Sequence, residues 1–221
     1  MKHIEKQTAP ARFIEWKSGD WSPNWDDLSG NSKVREILKD SLLQEQGYIC
    51  CYCEKSLLDK NGNVDGHFEH VLPRSYKTEN GETVGRDQEL DYTNIVFSCQ
   101  KETLKEEPRT CGRSKKDWYD PVRFISPLMP DCEGRFVYRP DGEIISKENN
   151  DPSTTETISR LNLNEHRLKR SREEAIDEIF AALEEKDFSD FVQKELSKNA
   201  KGMFRPFWSM KKQFFELLLK E

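Results

Sequence analysis

The sequence has no long hydrophobic run and no excess of positive charge. Because no stretch of about 18 apolar residues occurs, and because the opening MKHIEKQTAPARF lacks the apolar core of a secretory signal, we expect a cytoplasmic protein with no membrane contact. The 35 basic residues are outnumbered by 41 acidic ones, which gives a net charge of −6. This balance argues against a protein that binds polyanions through one general basic face.

Hydrophobic residues are few for a chain of 221 residues. They make up 34% of the sequence, and charged residues make up another 34%. This composition predicts a modest core with additional helices packed around it. A reducing cytosol disfavours disulfides, so the six cysteines indicate a metal site or a chemical role instead. Cys132 lies far from the others in sequence and is interpreted as structural.

Four of the cysteines have the arrangement of a zinc site. Cys50 and Cys53 form a C-x2-C pair, and Cys99 and Cys111 can complete a tetrahedral four-thiolate site by joining the end of a strand to the start of a helix. Such a site would compensate for the small core. Two alternatives stay open, namely cysteines buried as small apolar residues and a redox pair. Cys51 could replace Cys50 as a ligand, although the two-residue spacing favours Cys50.

Residues 48–122 show the order strand, loop, strand, helix. A short strand is expected before the C-x2-C turn, a second strand over 68–72, and a return strand over 95–97. A charged insertion at 100–109 separates the return strand from a basic helix that begins near Cys111. The order after the C-x2-C turn predicts a ββα unit.

The flanking segments have different patterns. Residues 1–47 begin with an irregular arm that contains three tryptophans, which pack on the protein itself or on a partner, and end in a helix that stops at Gly47. Residues 123–221 predict a hairpin, a polar linker over 147–157 and three helices, the first capped by Asn164. The last helix is apolar on more than one face, so it packs on the preceding helices or binds another protein.

Glu69 and His70 are the residues to which we assign chemistry. A neutral imidazole can take a proton from water near pH 7, and an adjacent carboxylate can hold a divalent cation that polarises a phosphate. Because side chains alternate along a strand, both can serve one site only if the strand ends there in a bend, which Pro73 would supply. An ordinary surface pair is the alternative. His67 is interpreted as a scaffold or surface histidine.

Polar residues near the return strand and the helix complete the candidate site. Asn94 precedes the return strand, where its amide can bond the preceding loop and hold the histidine in place, or can serve as an ordinary turn residue. Arg113, Lys115 and Lys116 begin the helix and are candidates for contact with a phosphate backbone, where the helix N-terminus would help. Solvated side chains are the alternative.

At these residues the chain resembles the HNH endonuclease module of ββα-metal type. The motifs that carry the resemblance are CCYC, FEHVLP, YTNI, SC and CGRSK. A wider frame, which includes the N-terminal tryptophan region, LLQEQGYIC and LNLNEHRLKRSR, resembles the HNH subunit of the Septu antiphage system and of its retron-linked relatives. The resemblance covers most of the chain. It implies an α+β fold in which a zinc-stapled ββα-metal core (48–122) carries an N-terminal arm and helix (1–47) and a C-terminal hairpin with a helical region (123–221).

The resemblance also implies roles for residues and partners. His70 would be the general base, Glu69 the ligand of a catalytic Mg²⁺ or Mn²⁺, Asn94 the middle asparagine, and the four cysteines the ligands of a structural Zn²⁺. The substrate would be DNA or RNA, and an ABC-type ATPase would gate the nuclease during phage infection.

One position departs from the family pattern. HNH sites usually carry a final His or Asn on the helix as a second metal ligand, whereas residues 112–117 read GRSKKD. The remaining candidates are Asp117, the amide of Asn94, or substrate oxygens and water. A second function also stays open, a zinc-knuckle nucleic-acid-binding or adaptor subunit without catalysis. The substitution His70→Ala separates the two, because only a nuclease should lose cleavage while it keeps binding.

Overall fold

The computed structural model describes residues 1–19, 21–100, 108–183 and 187–219. This part of the chain is α+β, as expected. The elements in chain order are α1 (Ala11–Lys17), α2 (Trp25–Gly30), α3 (Ser32–Gln46), β1 (Gly66–His70), α4 (Val84–Asp87), β2 (Ile95–Cys99), α5 (Cys111–Lys115), β3 (Phe136–Tyr138), β4 (Ile144–Ser146), α6 (Pro152–Arg160), α7 (His166–Ala182), α8 (Phe188–Leu196) and α9 (Trp208–Leu218). None of the helices in these described ranges has the length and apolar character needed to cross a bilayer.

The N-terminal arm is more regular than the sequence predicted. It contains α1 and α2, and α2 begins with a capping box in which Asn24 and Asp27 bond each other's backbone N–H groups. The predicted helix after the arm is confirmed as α3. The side chain of Asn31 caps its start, and Gly47, with a φ of 62°, ends it in the left-handed conformation.

β1 and β2 form an antiparallel hairpin in which Gly66 lies opposite Cys99 and His70 opposite Ile95. The return strand is confirmed, and every residue of β2 is buried. β1 starts two residues earlier than predicted and ends at His70, because the backbone N–H groups that follow it bond to Asn94 instead of continuing the ladder. The strand expected before the C-x2-C turn is only an isolated bridge between Ile49 and Ser56.

α5 begins at Cys111, as predicted, so that β1, β2 and α5 follow in the expected order. α3 packs on β2, and its last residue, Gln46, bonds both the N–H and the carbonyl of Phe97. This pair of bonds fixes the helix against the hairpin. The charged insertion expected at 100–109 lies largely outside the described residues, since 101–107 are not among them.

The C-terminal region contains the predicted hairpin, β3 and β4, and the predicted helices α7, α8 and α9. Two details differ from the prediction. The polar linker gives way to α6, which the Asp151 side chain caps and in which Pro152 takes the first position. Glu165 caps α7, because the amide of Asn164 bonds the N–H and the carbonyl of Ile144 at the edge of β4.

One continuous core joins the arm, the β1–β2 hairpin and the C-terminal helices. Phe13 of α1, Val96 of β2 and Ile176 of α7 all belong to it and are almost fully buried. On α9, Met210 and Phe215 also enter this core. The packing of the hairpin therefore depends on the segments that flank it on both sides.

Candidate functional site

Four cysteines come together at one end of the hairpin. The Sγ atoms of Cys50, Cys53, Cys99 and Cys111 all lie within 4.8 Å of one another, and all four residues are buried. The C-x2-C turn supplies two of them, the end of β2 the third, and the first residue of α5 the fourth. The Sγ atoms of Cys53 and Cys99 are 3.7 Å apart. A tetrahedral Zn²⁺ with bonds of about 2.3 Å requires sulfurs about 3.8 Å apart, so this arrangement fits the ion.

The other two cysteines take no part in the cluster, although both are buried. Cys51 lies outside it, which agrees with the preference for Cys50 drawn from the spacing. Cys132 contacts the backbone carbonyls of Met1 and Pro127, and burial raises the pKa of its thiol to about 12. Cys132 is therefore a structural residue, as predicted.

The thiols of the cluster affect one another unequally: the pKa of Cys50 is lowered, whereas burial and the neighbouring thiols raise the pKa values of Cys99 and Cys111. Burial alone would raise the pKa of Cys50, but hydrogen bonds from neighbouring thiols outweigh it and hold this pKa well below its ordinary value. The backbone N–H of Cys99 also donates to the sulfur of Cys50, at 3.4 Å. A cation in the cluster would complete this stabilisation.

The C-terminal region supports the cluster from the outside. The backbone N–H of Cys111 donates to the carbonyl of Leu161 at 2.8 Å. Arg172, 1% exposed, donates to the carbonyls of Gly142 and Leu163, and its charge interacts favourably with Cys53 and Cys111. Because four thiolates around Zn²⁺ carry a net negative charge, a buried guanidinium nearby lowers the cost of burying them. Arg172 was not identified from the sequence as part of the site.

Glu69 lies on β1 with its carboxylate turned toward α5. One oxygen, Oε1, accepts a hydrogen bond from the hydroxyl of Tyr52 at 3.2 Å and lies 3.0 Å from the Nζ of Lys115. The other oxygen, Oε2, is 3.7 Å from the Nε2 of His67. Burial would raise the pKa of Glu69, but the charge of Lys115 and the proximity of His67 outweigh it and lower this pKa. The carboxylate is therefore ionised and keeps one oxygen available.

Lys115 is not on the surface where the sequence placed it. Its side chain is buried, and its Nζ also donates to the backbone carbonyl of His70 at 3.0 Å. It neutralises Glu69 and anchors the end of β1, which leaves no free ammonium for a phosphate. Arg113 donates to the carbonyl of Gln100, and Lys116 is exposed. A nucleic-acid role for Arg113, Lys115 and Lys116 stays a prediction, and the geometry favours it least for Lys115.

His70 lies on the opposite face of β1 from Glu69. Its ring packs edge-on against Trp25 at 4.3 Å between centroids, and the Trp25 ring also packs on Phe68. Since His70 stays within the strand and pairs with Ile95, the bend expected at Pro73 does not bring the two side chains together.

The surroundings of His70 fix its protonation state. Its Nε2 lies 2.9 Å from the carbonyl of Glu89 and donates to it, which leaves Nδ1 as the nitrogen with the lone pair. Burial lowers the pKa of His70 below its ordinary value, so that the ring is neutral near pH 7. A neutral ring with a fixed tautomer is what a general base requires.

Asn94 ends a 3₁₀ turn directly before β2. Its Oδ1 accepts from the N–H of Leu72 at 2.7 Å, and its Nδ2 donates to the carbonyls of Leu72 and Gln88 at 3.0 and 3.2 Å. The amide therefore closes the loop that follows His70. Because both of its polar groups bind backbone, Asn94 is not favoured as a cation ligand, and its part in catalysis stays a prediction.

A surface groove of about 420 Å³ runs between α3 and β1, and His67 forms part of its wall. The cationic side chains of Arg35, Lys39 and Arg113 also line it. Glu36 is the acidic residue at its edge, where it pairs with Lys39. The charge of the groove suits a phosphate backbone. Sequence reasoning missed Arg35 and Lys39, because the helical pattern of α3 marks them only as exposed.

Comparison with known proteins identifies the family of the chain. No family model matches the chain. The chain is 31% identical over 154 residues to a protein of Vibrio cholerae serotype O1 biovar El Tor that is assigned as the HNH endonuclease of retron Vc95, and the match covers 68% of each chain. It is 25% identical over 208 residues to the Escherichia coli protein assigned as the HNH endonuclease of retron Ec83, with 78% of each chain covered. The chain therefore belongs to the HNH endonuclease family.

Proposed function

We propose that this protein is a metal-dependent endonuclease that hydrolyses phosphodiester bonds of nucleic acid and acts in antiphage defence. The observation that carries the proposal is the buried Glu69 carboxylate, which Lys115 and Tyr52 bond on one oxygen while the other faces His67 beside a cationic groove. A solvent-exposed carboxylate is stabilised by water and would not need the bonds that Lys115 and Tyr52 make to Glu69. Membership in the HNH endonuclease family gives the arrangement its chemical class.

Each polar group then has a task in hydrolysis. Arg35 and Lys39 in the groove would neutralise the phosphate backbone, and Glu69 would hold the divalent cation. When bound, such a cation polarises the scissile phosphate and stabilises the leaving oxygen. His70, through the lone pair on Nδ1, takes the proton of the attacking water, and the bond to Glu89 keeps the ring in that tautomer.

The decisive experiment is cleavage of DNA and of RNA by zinc-loaded protein, with Mg²⁺ and with Mn²⁺. His70→Ala should lower cleavage by about 10²- to 10⁴-fold, because that is what a positioned base contributes. Nucleic-acid affinity should stay within about twofold, since the ring packs on Trp25 and His70 is not among the residues that line the groove. His166→Ala, at an exposed position on α7, is the matched control and should cleave normally. Wild-type rates in His70→Ala would end the assignment of the base.

One observation favours the second candidate function, a binding or adaptor subunit without catalysis. Glu69 and His70 leave β1 on opposite faces, so that the carboxylate and the base do not converge within the strand. If this candidate is correct, Arg35→Ala should weaken nucleic-acid binding while no preparation of the protein, alone or with a partner, cuts DNA or RNA.

We propose further that an ABC-type ATPase gates the nuclease and that the end of α9 contributes to its docking. Leu217 and Leu219 are 56% and 64% exposed there, whereas Phe214 and Phe215 are buried in the core. Packing within the protein thus buries most of the apolar side chains of α9. Leu217 and Leu219 stay exposed and could contact a partner.

The docking proposal needs point substitutions, because α9 also supports the cysteine turn. The N–H of Ser209 donates to the Glu54 side chain at 2.7 Å, so deletion of the helix would disturb Glu54, which follows Cys53. Leu217→Asp should abolish co-purification with the ATPase and leave zinc content unchanged. Val122→Asp, at an apolar position 80% exposed elsewhere, is the matched control. Unchanged association of Leu217→Asp would remove α9 from the interface.

A further inference from the structure

Gly112, the second residue of α5, lies directly against the Glu69 carboxylate. A Cβ at this position would be 2.5 Å from Oε2 of Glu69 and 2.8 Å from Nε2 of His67. Both distances are far shorter than ordinary non-bonded contacts, which begin near about 3.5 Å. Any side chain at position 112 would displace both atoms, so α5 supplies no ligand at this point. At this position a further protein ligand for a cation on Glu69 has to come from a neighbouring element.

The His67 imidazole lies directly against Gly112, in the space that a side chain at position 112 would fill. It precedes Glu69 by two residues on β1, so the two side chains share the face of the strand that is turned toward α5. The imidazole is poorly satisfied, because its Nδ1 is buried without a hydrogen-bond partner among the described residues. Its Nε2 is 3.7 Å from Oε2 of Glu69, which is longer than a hydrogen bond. Nε2, not Nδ1, is the nitrogen that faces the Glu69 carboxylate, and it does so without a direct hydrogen bond, so the space between Nε2 and Oε2 is where an ion would be shared.

We infer that His67 is the second protein ligand of the divalent cation held by Glu69, and that its nitrogen makes the site prefer Mn²⁺ or Co²⁺ to Mg²⁺. The inference rests on the proposed nuclease function. An ion with bonds of about 2.1 Å can join two atoms up to about 4.2 Å apart, and Nε2 and Oε2 are 3.7 Å apart.

The other contacts of the pair agree with this assignment. Lys115 and Tyr52 hold Oε1 of Glu69, so Oε2 is the oxygen left for an ion. His67 also lines the cationic groove, which puts the pair within reach of a phosphate bound there. Imidazole suits transition-metal ions, whereas Mg²⁺ prefers oxygen ligands, and this difference sets the expected preference. Water and substrate oxygens complete the coordination.

The test is Mn²⁺ binding to the full-length, zinc-loaded protein, measured by titration calorimetry and by pulsed electron paramagnetic resonance, which detects a ¹⁴N nucleus bonded to Mn²⁺. The wild-type protein should show ¹⁴N coupling. His67→Ala should lose the coupling and bind Mn²⁺ at least about 10-fold more weakly. His70→Ala and the exposed control His166→Ala should keep the coupling. His67→Gln replaces His67→Ala if the latter fails to fold, and zinc content and thermal unfolding verify each variant.

Gly112→Ala provides an independent variant that leaves both proposed ligands in the chain. Its methyl group would push Oε2 and Nε2 from their positions, so Mn²⁺ affinity should fall by about 10-fold or more while zinc content is kept. Wild-type affinity in Gly112→Ala would contradict the proposed geometry.

The outcomes separate this inference from the proposed function. Cleavage by wild-type protein without ¹⁴N coupling, or coupling and affinity unchanged in His67→Ala, would overturn the ligand role of His67 and leave the nuclease proposal standing. If the ¹⁴N coupling depends on His67 but the protein cuts neither DNA nor RNA, the ligand role of His67 stands and the nuclease proposal is overturned. Stronger binding of Mg²⁺ than of Mn²⁺ would overturn the predicted metal preference.

Discussion

The described residues form two antiparallel hairpins of two strands each, and the two differ in what they bury. The β1–β2 hairpin surrounds itself with groups that are costly to bury, namely four thiols, the ion pair of Glu69 and Lys115, and the Asn94 amide. The β3–β4 hairpin is held by Asn164 and Arg172 through backbone carbonyls and N–H groups. Buried charge and thiolate are expensive unless something compensates them. The β3–β4 hairpin also borders buried charge, since Arg172 bonds its turn and the Met1 ammonium donates to the hydroxyl of Tyr138. What distinguishes the β1–β2 hairpin is the four-thiol cluster and a carboxylate with one oxygen left open, and these are groups suited to chemistry.

The largest expected effect comes from the cysteine cluster. Cys99→Ser should reduce zinc from about one ion per chain to nearly none, because a tetrahedral site loses a ligand. Structural zinc contributes on the order of 10 kcal/mol in small domains, comparable to the whole stability of many proteins, so the variant should be largely unfolded. Atomic absorption and circular dichroism measure both results. The Cys132→Ser variant, in which the replaced cysteine is also buried but lies outside the cluster, should bind zinc normally, and equal zinc loss in both variants would refute the four-cysteine site.

A smaller effect is expected at the buried ion pair. Lys115→Met should lower the free energy of unfolding by about 3–5 kcal/mol, since Glu69 would be left as an uncompensated buried charge. Chemical denaturation measures this change. Lys116→Ala, one residue on and exposed, should change stability by less than about 0.5 kcal/mol. If Lys115→Met instead weakens nucleic-acid binding without a loss of stability, Lys115 acts at the substrate.

The two asparagines compare the hairpins directly. Each amide bonds backbone groups beside a strand, so Asn94→Ala and Asn164→Ala should each cost about 1–3 kcal/mol by leaving buried groups unpaired. Only Asn94→Ala should also lower cleavage, by about 100-fold, because the loop after His70 would shift. Single-turnover kinetics on both variants make the comparison. Equal losses of activity would mean that the amides affect folding alone.

The smallest effect is expected at Asp151 beside the β3–β4 hairpin. Burial alone would raise its pKa, but hydrogen bonds from Thr154 and Arg135 outweigh it and lower this pKa to about 2. A lowered pKa in the folded state stabilises the protein above the unfolded pKa of about 3.9, and the contribution is lost as the pH falls toward 2. Asp151→Ala should cost about 1 kcal/mol at pH 7, as the loss of a helix cap does, and less near pH 2. Denaturation at several pH values measures the difference, and a cost that does not change with pH would contradict the assignment.

The sequence revealed the cysteine cluster and the order of the hairpin and α5, because both depend on local spacing. C-x2-C spacing places two sulfurs on one turn, and the return strand ends at Cys99. The contact between Lys115 and Glu69 was not predictable, since they are 46 positions apart in the sequence and an ammonium group usually faces solvent. The opposite faces of Glu69 and His70 depend on where β1 ends, and boundaries are set by distant partners such as Asn94.

His67 is a second residue whose surroundings could not be predicted from the sequence. As a lone histidine in a strand it carries no signal, and its position acquires meaning only beside Gly112. The sequence does show that α5 lacks the His or Asn that HNH sites usually carry on this helix as a second metal ligand. That His67 lies where such a ligand would be needed is visible only once β1 and α5 are placed together.

The hydrogen bond from the N–H of Cys111 to the carbonyl of Leu161 limits how the protein can be divided. A shorter piece that ended near residue 122 would retain all four cysteines of the cluster yet leave this amide without its acceptor and remove the guanidinium of Arg172. Transplanting the metal-binding portion into another scaffold would therefore require bringing the loop around Leu161 and its helix along with it.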